Sequence, residues 1–517
     1  MKYLIYLTTL TLLISSCGSV KKHNSEIAEL HTTQELNQDL DYAYKKLQKY
    51  HPDLYWYISK EALDAKFDSL KNTIKTPLSS KAFYQKLAPV IASIRQGHTV
   101  VYPPVKRQTK KEKKKKGRRV NPFRQLKFKK VNNDTYVEKN YGKDSTILVG
   151  SKLISIENVP VSYLLKKYKN NITGDGYNKT FVPNRLSTTI GSYYLINNKR
   201  RDSVLVAFEK KDSVYSRYLH YIDKKSKKND ESKKDDDDVD EMSKKEKKAQ
   251  KKWRRKHGYD KYKKEITREL TFLKSDSLHS IAYMKIRSFT NGRYWEFYEE
   301  SFEKLDSAKT ENLIIDLRNN GGGRIADVED LYSYLAKEDY VFLAASKMTN
   351  RMSYLYPTIH NKGWLSKTLA VLLYPVHTLY LQIFNVRTVD GVDFFKLYTK
   401  EKEPNENNYK GNIYLLVNGR SFSASGLLAT HLKATERATI VGEETGGAFN
   451  GNVSGLTAHE ELPNSKLKMY VGVLTIKTPY TIEPDGFGVK ADVIVPTTTF
   501  EGDQQLDWII KKIQEGE

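Results

Sequence analysis

The sequence predicts a mixed α/β protein of several domains, with a helical N-terminal region and a small strand-rich region before an α/β core. Three observations support this: the chain has 517 residues, strand and helix patterns alternate from residue 280 onwards, and two highly charged tracts divide the chain. One hydrophobic core rarely serves a chain this long, so we expect two to four domains. Hydrophobic residues make up 39% of the chain, which is enough for several buried sheets.

The N-terminus predicts export and a lipid anchor. Lys2 is followed by an apolar run over Tyr3 to Ile14, shorter than the roughly 20 residues that span a bilayer. The stretch Leu13 to Gly18 resembles a bacterial lipobox, in which Cys17 is acylated and becomes the first mature residue. Cys17 is the only cysteine, so no intramolecular disulfide can form. We therefore expect a cell-envelope lipoprotein, periplasmic or on the outer membrane; an ordinary cleaved signal is the alternative.

The net charge of +25 is concentrated in two tracts. Lys106 to Arg119 carries +9 and Lys224 to Lys256 carries +6, and neither has apolar residues at helical or strand spacing. Such segments bury too little surface to offset the entropy of ordering, so we interpret both as disordered loops. No aromatic-rich nucleic-acid motif accompanies them, and no nucleic-acid partner is expected; a nucleic-acid or membrane-surface adaptor is the alternative.

The region before the first tract predicts helices. Apolar residues such as Leu40, Tyr44 and Leu47 recur every three or four positions. The third helix ends at Gly97, which is suited to stop it, and Val100 to Tyr102 follows as a short strand.

The region between the tracts predicts a small β domain. Gly150 to Val161 reads as strand, turn and strand, and leads into an amphipathic stretch at Tyr163 to Tyr168. This resembles part of a PDZ domain, a module that binds extended peptides at a sheet edge, although any small β domain would also fit.

From Ser280 the chain alternates between strand and helix, which argues for mainly parallel strands. The predicted elements are strands at Ser280–Ile286, Asn312–Leu317, Ile413–Val417 and Thr439–Val441, and helices at Tyr294–Ala308, Ile325–Ala336 and Ala424–Ala434.

Two loops after these strands carry residues suited to catalysis. In Asn312 to Gly323 a buried strand runs into three glycines before a helix, where backbone N–H groups can hold a developing oxyanion. A phosphate-binding loop uses backbone N–H groups in the same way, but this stretch lacks the Lys-Ser/Thr ending of a nucleotide P-loop. In Tyr414 to Ala429 a serine, Ser423, lies at the start of a helix, and the N–H of Ala424 can complete the hole with Gly322 or a neighbour. The alternative is that the serines there only cap the helix.

A third stretch, Arg437 to Ala448, contains Val-Gly-Glu-Glu-Thr-Gly-Gly. In this order the three stretches resemble the tail-specific, or C-terminal processing, peptidase family, over about Ile281 to Val495. The resemblance implies a crotonase-like α/β core, often with an attached PDZ domain. It also implies a serine peptidase with Ser423 as nucleophile and no metal or organic cofactor.

Two positions depart from the family pattern. Many members use a Ser-Lys pair whose lysine would align at Ala448, and a glutamate of the family is replaced by Gly426. Gly97-His98-Thr99 instead resembles the tricorn-type branch, in which a histidine is the base. Its orienting carboxylate would be Glu483 or Asp485, and the sequence leaves this choice open. Loss of catalysis, leaving a ligand-binding lipoprotein on the same fold, is the competing hypothesis.

Other histidines compete with His98. His431 lies eight residues beyond Ser423, about 12 Å along a helix axis, and cannot reach it. His51 is interpreted as a packing residue and His459 as exposed.

Together these patterns predict an endopeptidase of exported or unfolded proteins, with protein or peptide substrates and an undetermined oligomeric state. The predicted divisions are a signal peptide (1–17), an N-terminal helical domain (25–105), a basic disordered loop (106–122), a PDZ-like β domain (123–223), a charged disordered linker (224–260) and a crotonase-like peptidase core (261–517).

Overall fold

The computed structural model describes most of the chain. The described residues are 20–112, 118–198, 202–224, 243–260, 265–273, 280–290, 292–349, 383–396 and 398–516, with Pro375, Val376 and Leu379. The predicted signal peptide and Cys17 lie outside these residues. Within them, no helix combines the length and the apolar character needed to cross a membrane.

The N-terminal region is helical, and its helices begin at the caps that the sequence provides. Thr32 and Glu35 form a capping box at the start of one helix, and Ser59 and Ser79 cap the next two. The helices are α1 (Val20–Glu26), α2 (Thr33–Tyr50), α3 (Lys60–Thr73) and α4 (Ser80–Ala92), and the strands are β1 (Leu30–His31), β2 (Leu78–Ser79) and β3 (Val100–Tyr102).

The second region is built on a sheet of six strands with two helices. The strands are β4 (Arg118–Val120), β5 (Leu126–Val131), β6 (Asp134–Asn140), β7 (Lys152–Ile156), β8 (Val159–Pro160), β9 (Ser203–Lys210), β10 (Ser213–His220) and β11 (Ile222–Lys224), and the helices are α5 (Val161–Tyr168) and α6 (Phe181–Asn197). The sheet order is β10-β9-β7-β6-β5, β8 pairs with β7, and β4 pairs with β11 outside this sheet. The sequence did not predict α6, whose apolar residues are spread around the helix rather than along one face.

Both charged tracts contain ordered structure, so the predictions of fully disordered loops were wrong in part. Residues 118–120 of the first tract form β4 and pair with β11. In the second tract α7 (Lys244–His257) begins at a capping box of Ser243 and Glu246 and ends in four basic residues. A box at the N-terminus and cations at the C-terminus stabilise a helix without an apolar face, which is why hydrophobic periodicity missed it.

The C-terminal half contains the α/β core and a second sheet. Its strands are β12 (Tyr259–Asp260), β13 (Glu265–Ile266), β14 (Arg268–Leu273), β15 (Ile281–Ile286), β16 (Asn312–Asp316), β17 (Tyr340–Val341), β18 (Ser346–Met348), β19 (Val386–Val389), β20 (Val392–Phe395), β21 (Glu401–Lys402), β22 (Asn412–Val417), β23 (Thr439–Gly442), β24 (Asn452–Glu461), β25 (Lys468–Ile476) and β26 (Val493–Ile494). Its helices are α8 (Tyr294–Ser307), α9 (Ile325–Ser333), α10 (Ala424–Ala434) and α11 (Gln504–Gln514).

The core sheet has the order β14-β15-β16-β22-β23-β26, and every pair from β15 to β26 is parallel. All five residues of β16 are buried, as expected for a parallel strand covered on both faces. Leu313 and Ile315 pack into the main core with α8, α9 and α10, whereas Ile314 faces the opposite layer with Ile509 and Ile513 of α11. A mainly parallel sheet covered by helices on both faces confirms the prediction of a mixed α/β fold.

The second sheet joins the two ends of the chain. Its order is β19-β20-β18-β25-β24, and β3 from the N-terminal region pairs antiparallel with β25. The carboxylate of Asp39 in α2 also accepts hydrogen bonds from the N–H groups of Asn464 and Ser465, 2.9 and 2.8 Å long. The helical region is therefore fixed to the C-terminal hairpin.

A buried ion network fastens the end of β16. The carboxylate of Asp316 is fully buried and pairs with Arg287 and Arg318, each at 2.8 Å. Arg318 also reaches Asp503 at 2.6 Å, at the start of α11. Burial alone would raise the pKa of Asp316, but Arg318 and Arg287 hold that pKa far below its ordinary value. The aspartate and arginine of the Asp-Leu-Arg part of the first motif therefore stabilise the fold.

Asp316→Ala should lower the free energy of unfolding by about 3 kcal/mol, because it removes the buried carboxylate that pairs with Arg287 and leaves Arg318 with Asp503 as its remaining partner. Since the folded-state pKa of Asp316 is depressed, its contribution is present above the ordinary aspartate pKa of about 3.9 and lost as the pH falls below it. Urea unfolding at neutral and acid pH measures both effects. Lys304→Ala, which removes an exposed pair with Glu300, is the control and should change stability by less than about 1 kcal/mol.

Candidate active site

The two glycine- and serine-bearing loops meet at the carboxyl ends of neighbouring parallel strands. The loop after β16 and the loop after β22 are joined by hydrogen bonds from the Phe422 N–H to the Asn320 carbonyl (3.0 Å) and from Ser421 Oγ to the Leu317 carbonyl (2.8 Å). Ligand sites of parallel α/β sheets form at this edge. Ser421 is buried and serves this junction.

Ser423 occupies the turn between β22 and α10. Its backbone has φ +56° and ψ −123°, a region that residues other than glycine rarely adopt. It stands at the N-cap of α10, yet its side chain makes no capping hydrogen bond. The capping alternative therefore does not explain Ser423. A strained strand–turn–helix geometry of this kind presents a serine hydroxyl for nucleophilic attack.

Gly322 allows the first loop to approach the serine closely. With φ +90°, a Cβ added there would lie 2.7 Å from the Phe422 carbonyl oxygen and 2.8 Å from both Ala424 N and Ser423 Cβ. The N–H of Gly322 donates to Asn320 Oδ1 at 2.9 Å. Donation from Gly322 to an oxyanion therefore stays a prediction, since Asn320 accepts this N–H in the structure; what the structure shows for Gly322 is the close approach of the two loops.

Ala424 keeps a donor available beside the serine. Within the described part of the chain its N–H makes no hydrogen bond, as is usual for the first N–H groups of a helix. It points from the positive end of α10, where developing negative charge is favoured.

His98 lies against the residue that precedes the serine. Its ring packs on the ring of Phe422 with centroids 5.3 Å apart, and Phe422 in turn stacks on Phe181 of α6 at 4.5 Å. A Cβ at Gly97 would lie 2.4 Å from Phe422 Cζ, so only glycine permits this approach. Folding therefore brings His98 against the neighbour of Ser423, more than 300 residues further along the chain.

The histidine is kept in its neutral, proton-accepting form. Its Nε2 atom is buried and has no hydrogen-bond partner among the described residues. Burial, and then the positive charge of Arg185, lower the pKa of His98 to about 4. A neutral imidazole with a free nitrogen can accept a proton from a serine hydroxyl.

The backbone around His98 is held from three directions. Gln96 Oε1 accepts the N–H of Val453 at 3.1 Å, and the Arg95 carbonyl accepts the N–H of Gly176 at 2.9 Å. The N–H of Gly97 donates to Asp175 Oδ1 at 2.6 Å. The segment is therefore fixed to β24 and to the loop before α6.

In the structure neither carboxylate predicted to orient the histidine makes a hydrogen bond to it, and this assignment stays a prediction. Glu483 is exposed. Asp485 accepts hydrogen bonds from Trp56 Nε1 at 2.7 Å and from the Tyr57 hydroxyl at 3.3 Å, which ties the N-terminal region to the loop before β26. The buried carboxylate that accepts the N–H of Gly97 belongs to Asp175, which the sequence analysis did not single out. Its only signal there is the pair of flanking glycines, Gly174 and Gly176.

The positions that depart from the family pattern lie close by. Ala448 is buried and forms an isolated bridge with Gly488, and no lysine accompanies Ser423 there. A Cβ at Gly426 would meet only the backbone of Gly447, at 3.6 Å. His431 is structural, because its Nε2 contacts the Phe342 carbonyl at 2.8 Å and its ring stacks on Phe342.

Comparison with protein families decides the class. Residues 280–495 match peptidase family S41. The chain carries a peptidase family S41 domain. The predicted resemblance to tail-specific peptidases and the predicted class, a serine peptidase, are thereby confirmed. No curated protein matched the chain.

Solved structures with a similar fold include mature CPAF (TM-score 0.58), mature CPAF complexed with lactacystin (0.59) and a CPAF mutant (0.60). Each is 15% identical to this chain and covers 93% of it, with 97%, 98% and 97% of the other chain matched, respectively. At this identity the likeness concerns the fold, and it extends beyond the S41 domain to the N-terminal regions.

Gly322→Ala should lower kcat by about 100-fold, because a methyl group would push the first loop away from Ser423 and misplace the site by a fraction of an ångström or more. Peptidase assays on a fluorogenic casein measure the loss. Gly321→Ala is the matched control: its added Cβ would meet no atom within 4 Å, and activity should stay within about twofold. Equal losses in both variants would contradict the proposed close approach.

Proposed function

We propose that this protein is a serine endopeptidase that hydrolyses exported or unfolded proteins in the cell envelope, with Ser423 as nucleophile and His98 as base. The observation that carries the proposal is the packing of His98 on Phe422, directly before an uncapped Ser423 at the start of α10. We also infer the tricorn-type branch, since Ala448 stands where the Ser-Lys branch has its lysine and His98 packs on the residue before the serine.

The reaction follows from these positions. Ser423 Oγ attacks the carbonyl carbon of the peptide bond while His98 takes the hydroxyl proton. The N–H of Ala424 and the positive end of α10 stabilise the oxyanion. His98 then gives the proton to the leaving amine, and a water molecule, activated in the same way, hydrolyses the acyl-enzyme.

The accessory regions suggest how substrates arrive. We infer that the core is crotonase-like and that residues 123–223 are PDZ-like, which would suit the capture of an extended chain at a sheet edge. The stacking of Phe181 of α6 on Phe422 supports this, because it connects that region directly to the site.

A fluorophosphonate probe should label the wild-type protein and leave Ser423→Ala unlabelled, since only an activated serine reacts. His98→Gln should slow labelling by about 10²- to 10⁴-fold, the usual contribution of a general base. His459→Gln is the control, because His459 is exposed and its ring contacts Tyr470 edge to face, and it should label like the wild type. Wild-type protein that neither labels nor cleaves casein would favour a ligand-binding lipoprotein.

We also propose that Cys17 is acylated and holds the protein on the membrane. Cys17→Ser should abolish incorporation of labelled palmitate and move the protein from the membrane fraction to the soluble periplasmic fraction, because the lipid chains supply the anchor. Casein cleavage per molecule should not change. A Cys17→Ser protein that remains membrane-bound would contradict the anchor.

A further inference from the structure

Helix α7 carries most of its positive charge on one side. At about 100° per residue, its 14 residues divide into two halves around the helix axis. In one half, an arc of about 160°, every residue is basic and exposed. This basic arc consists of Lys244, Lys245, Lys247, Lys248, Lys251, Lys252 and Arg255. None of its side chains forms an ion pair with a residue that the structure describes.

The other half of α7 makes the contacts with the core. The ring of His257 stacks on Trp253 with centroids 4.7 Å apart and meets Phe297 of α8 edge to face at 5.8 Å. Lys256, also in this half, pairs with Glu300 of α8. Because these contacts occupy one side of the helix, the basic arc faces away from the core.

The C-terminal end of α7 is fixed by a buried arginine. Arg268 of β14 is fully buried, and its guanidinium donates to the carbonyls of Lys256 (2.9 Å) and Arg255 (2.7 Å). The N–H of Arg293 donates to the same Arg255 carbonyl at 3.0 Å. The last carbonyls of a helix have no partner within it, so these bonds complete α7. The core therefore sets the position of the basic arc.

The basic arc is unfavourable for the helix by itself. Like charges three or four positions apart on a helix repel each other, and such pairs run along the whole arc. Two carboxylates of the neighbouring α8 are already engaged. Glu296 pairs with Arg293, and Glu300 pairs with Lys256 and Lys304. A dense positive face without its own counter-charges suits an anionic partner outside the chain.

The composition of the basic arc favours phospholipid over nucleic acid. Six of its seven members are lysines, whose compact charges suit the phosphates of lipid headgroups. The arc has no aromatic side chain on which a base could stack, since Trp253 lies in the other half of the helix. The lipid anchor proposed at Cys17 would keep the protein at a bilayer, which presents phosphates along the whole helix of about 20 Å.

We propose that the basic arc of α7 is a docking surface for anionic phospholipid headgroups, and that it holds the protein against the bilayer by charge, without insertion. This inference goes beyond the proposed peptidase chemistry and rests on the proposed membrane location. Each Lys or Arg near an anionic bilayer adds to the attraction. A lipid anchor combined with a polybasic surface attaches a protein more stably than either signal alone.

The test is vesicle binding by the purified Cys17→Ser protein, which lacks the acyl chains. It should sediment with vesicles of equal parts phosphatidylcholine and phosphatidylglycerol, and not with pure phosphatidylcholine. Raising the salt from about 0.1 to about 1 M should release it, because the Debye length falls from about 10 Å to about 3 Å. Binding should weaken about 100-fold or more in a quadruple variant of the arc, with Lys244→Gln, Lys247→Gln, Lys248→Gln and Lys251→Gln. Glutamine forms helices about as well as lysine, so α7 itself should persist.

The matched control removes the same charge from the N-terminal region. Its four lysines are exposed and have no ion-pair partner in the described part of the chain, and the changes are Lys45→Gln, Lys66→Gln, Lys75→Gln and Lys86→Gln. This control should bind vesicles within about twofold of the Cys17→Ser protein. Both quadruple variants should keep the circular dichroism of the folded protein.

Four results would overturn the docking surface. They are no binding to the anionic vesicles, equal losses in the two quadruple variants, binding that survives about 1 M salt, and tighter binding to a DNA duplex than to vesicles at equal phosphate concentration. A protein that binds the vesicles through α7 but neither labels with fluorophosphonate nor cleaves casein would instead refute the proposed function and leave this inference in place.

Discussion

The pairing of β3 with β25 is the contact on which the candidate site depends. His98 lies two residues before β3, and the register of Val100, Val101 and Tyr102 opposite Tyr470, Met469 and Lys468 places it beside the loop that carries Ser423. The hydrogen bonds of Gln96 to Val453 and of Gly97 to Asp175 complete this attachment. Without this pairing the histidine would belong to a separate helical region, and the serine would have no base among the described residues near it.

Some polar residues of the S41 domain hold the fold together and others remain available for a reaction. The residue type alone does not show which role each one has. Asp316 and Arg318 form a buried ion network that connects the core sheet to α11. The carbonyl of Asn320 joins the two loops, and its side-chain oxygen accepts a hydrogen bond from the N–H of Gly322. The groups left available are the hydroxyl of Ser423, the N–H of Ala424 and a ring nitrogen of His98. An uncommitted polar atom in a buried site has a free-energy cost, and catalysis is a reason to keep it.

The surroundings of the histidine favour its uncharged form. Burial, and then the charge of Arg185, lower the pKa of His98 and keep it neutral in the resting protein, which a base requires. A base that is neutral at rest can take up a proton during the reaction, as general acid–base catalysis requires. The helical N-terminal region also contributes Trp56 and Tyr57, which hold Asp485 and so shape the loop beside the site.

The sequence by itself predicted the alternation of strands and helices in the core, the three ordered motifs, and the serine and histidine as candidate catalytic residues. Each of these is recognisable from the spacing of nearby residues or from glycines that a turn requires. It did not reveal α6 or α7, since neither has a single apolar face. It also did not reveal that Asp175 is buried, that Asp485 accepts hydrogen bonds from Trp56 and Tyr57, or that the N–H of Gly322 donates to Asn320. Which carboxylate becomes buried, and which N–H remains free, depends on contacts between segments hundreds of residues apart, and only the tertiary structure decides such contacts.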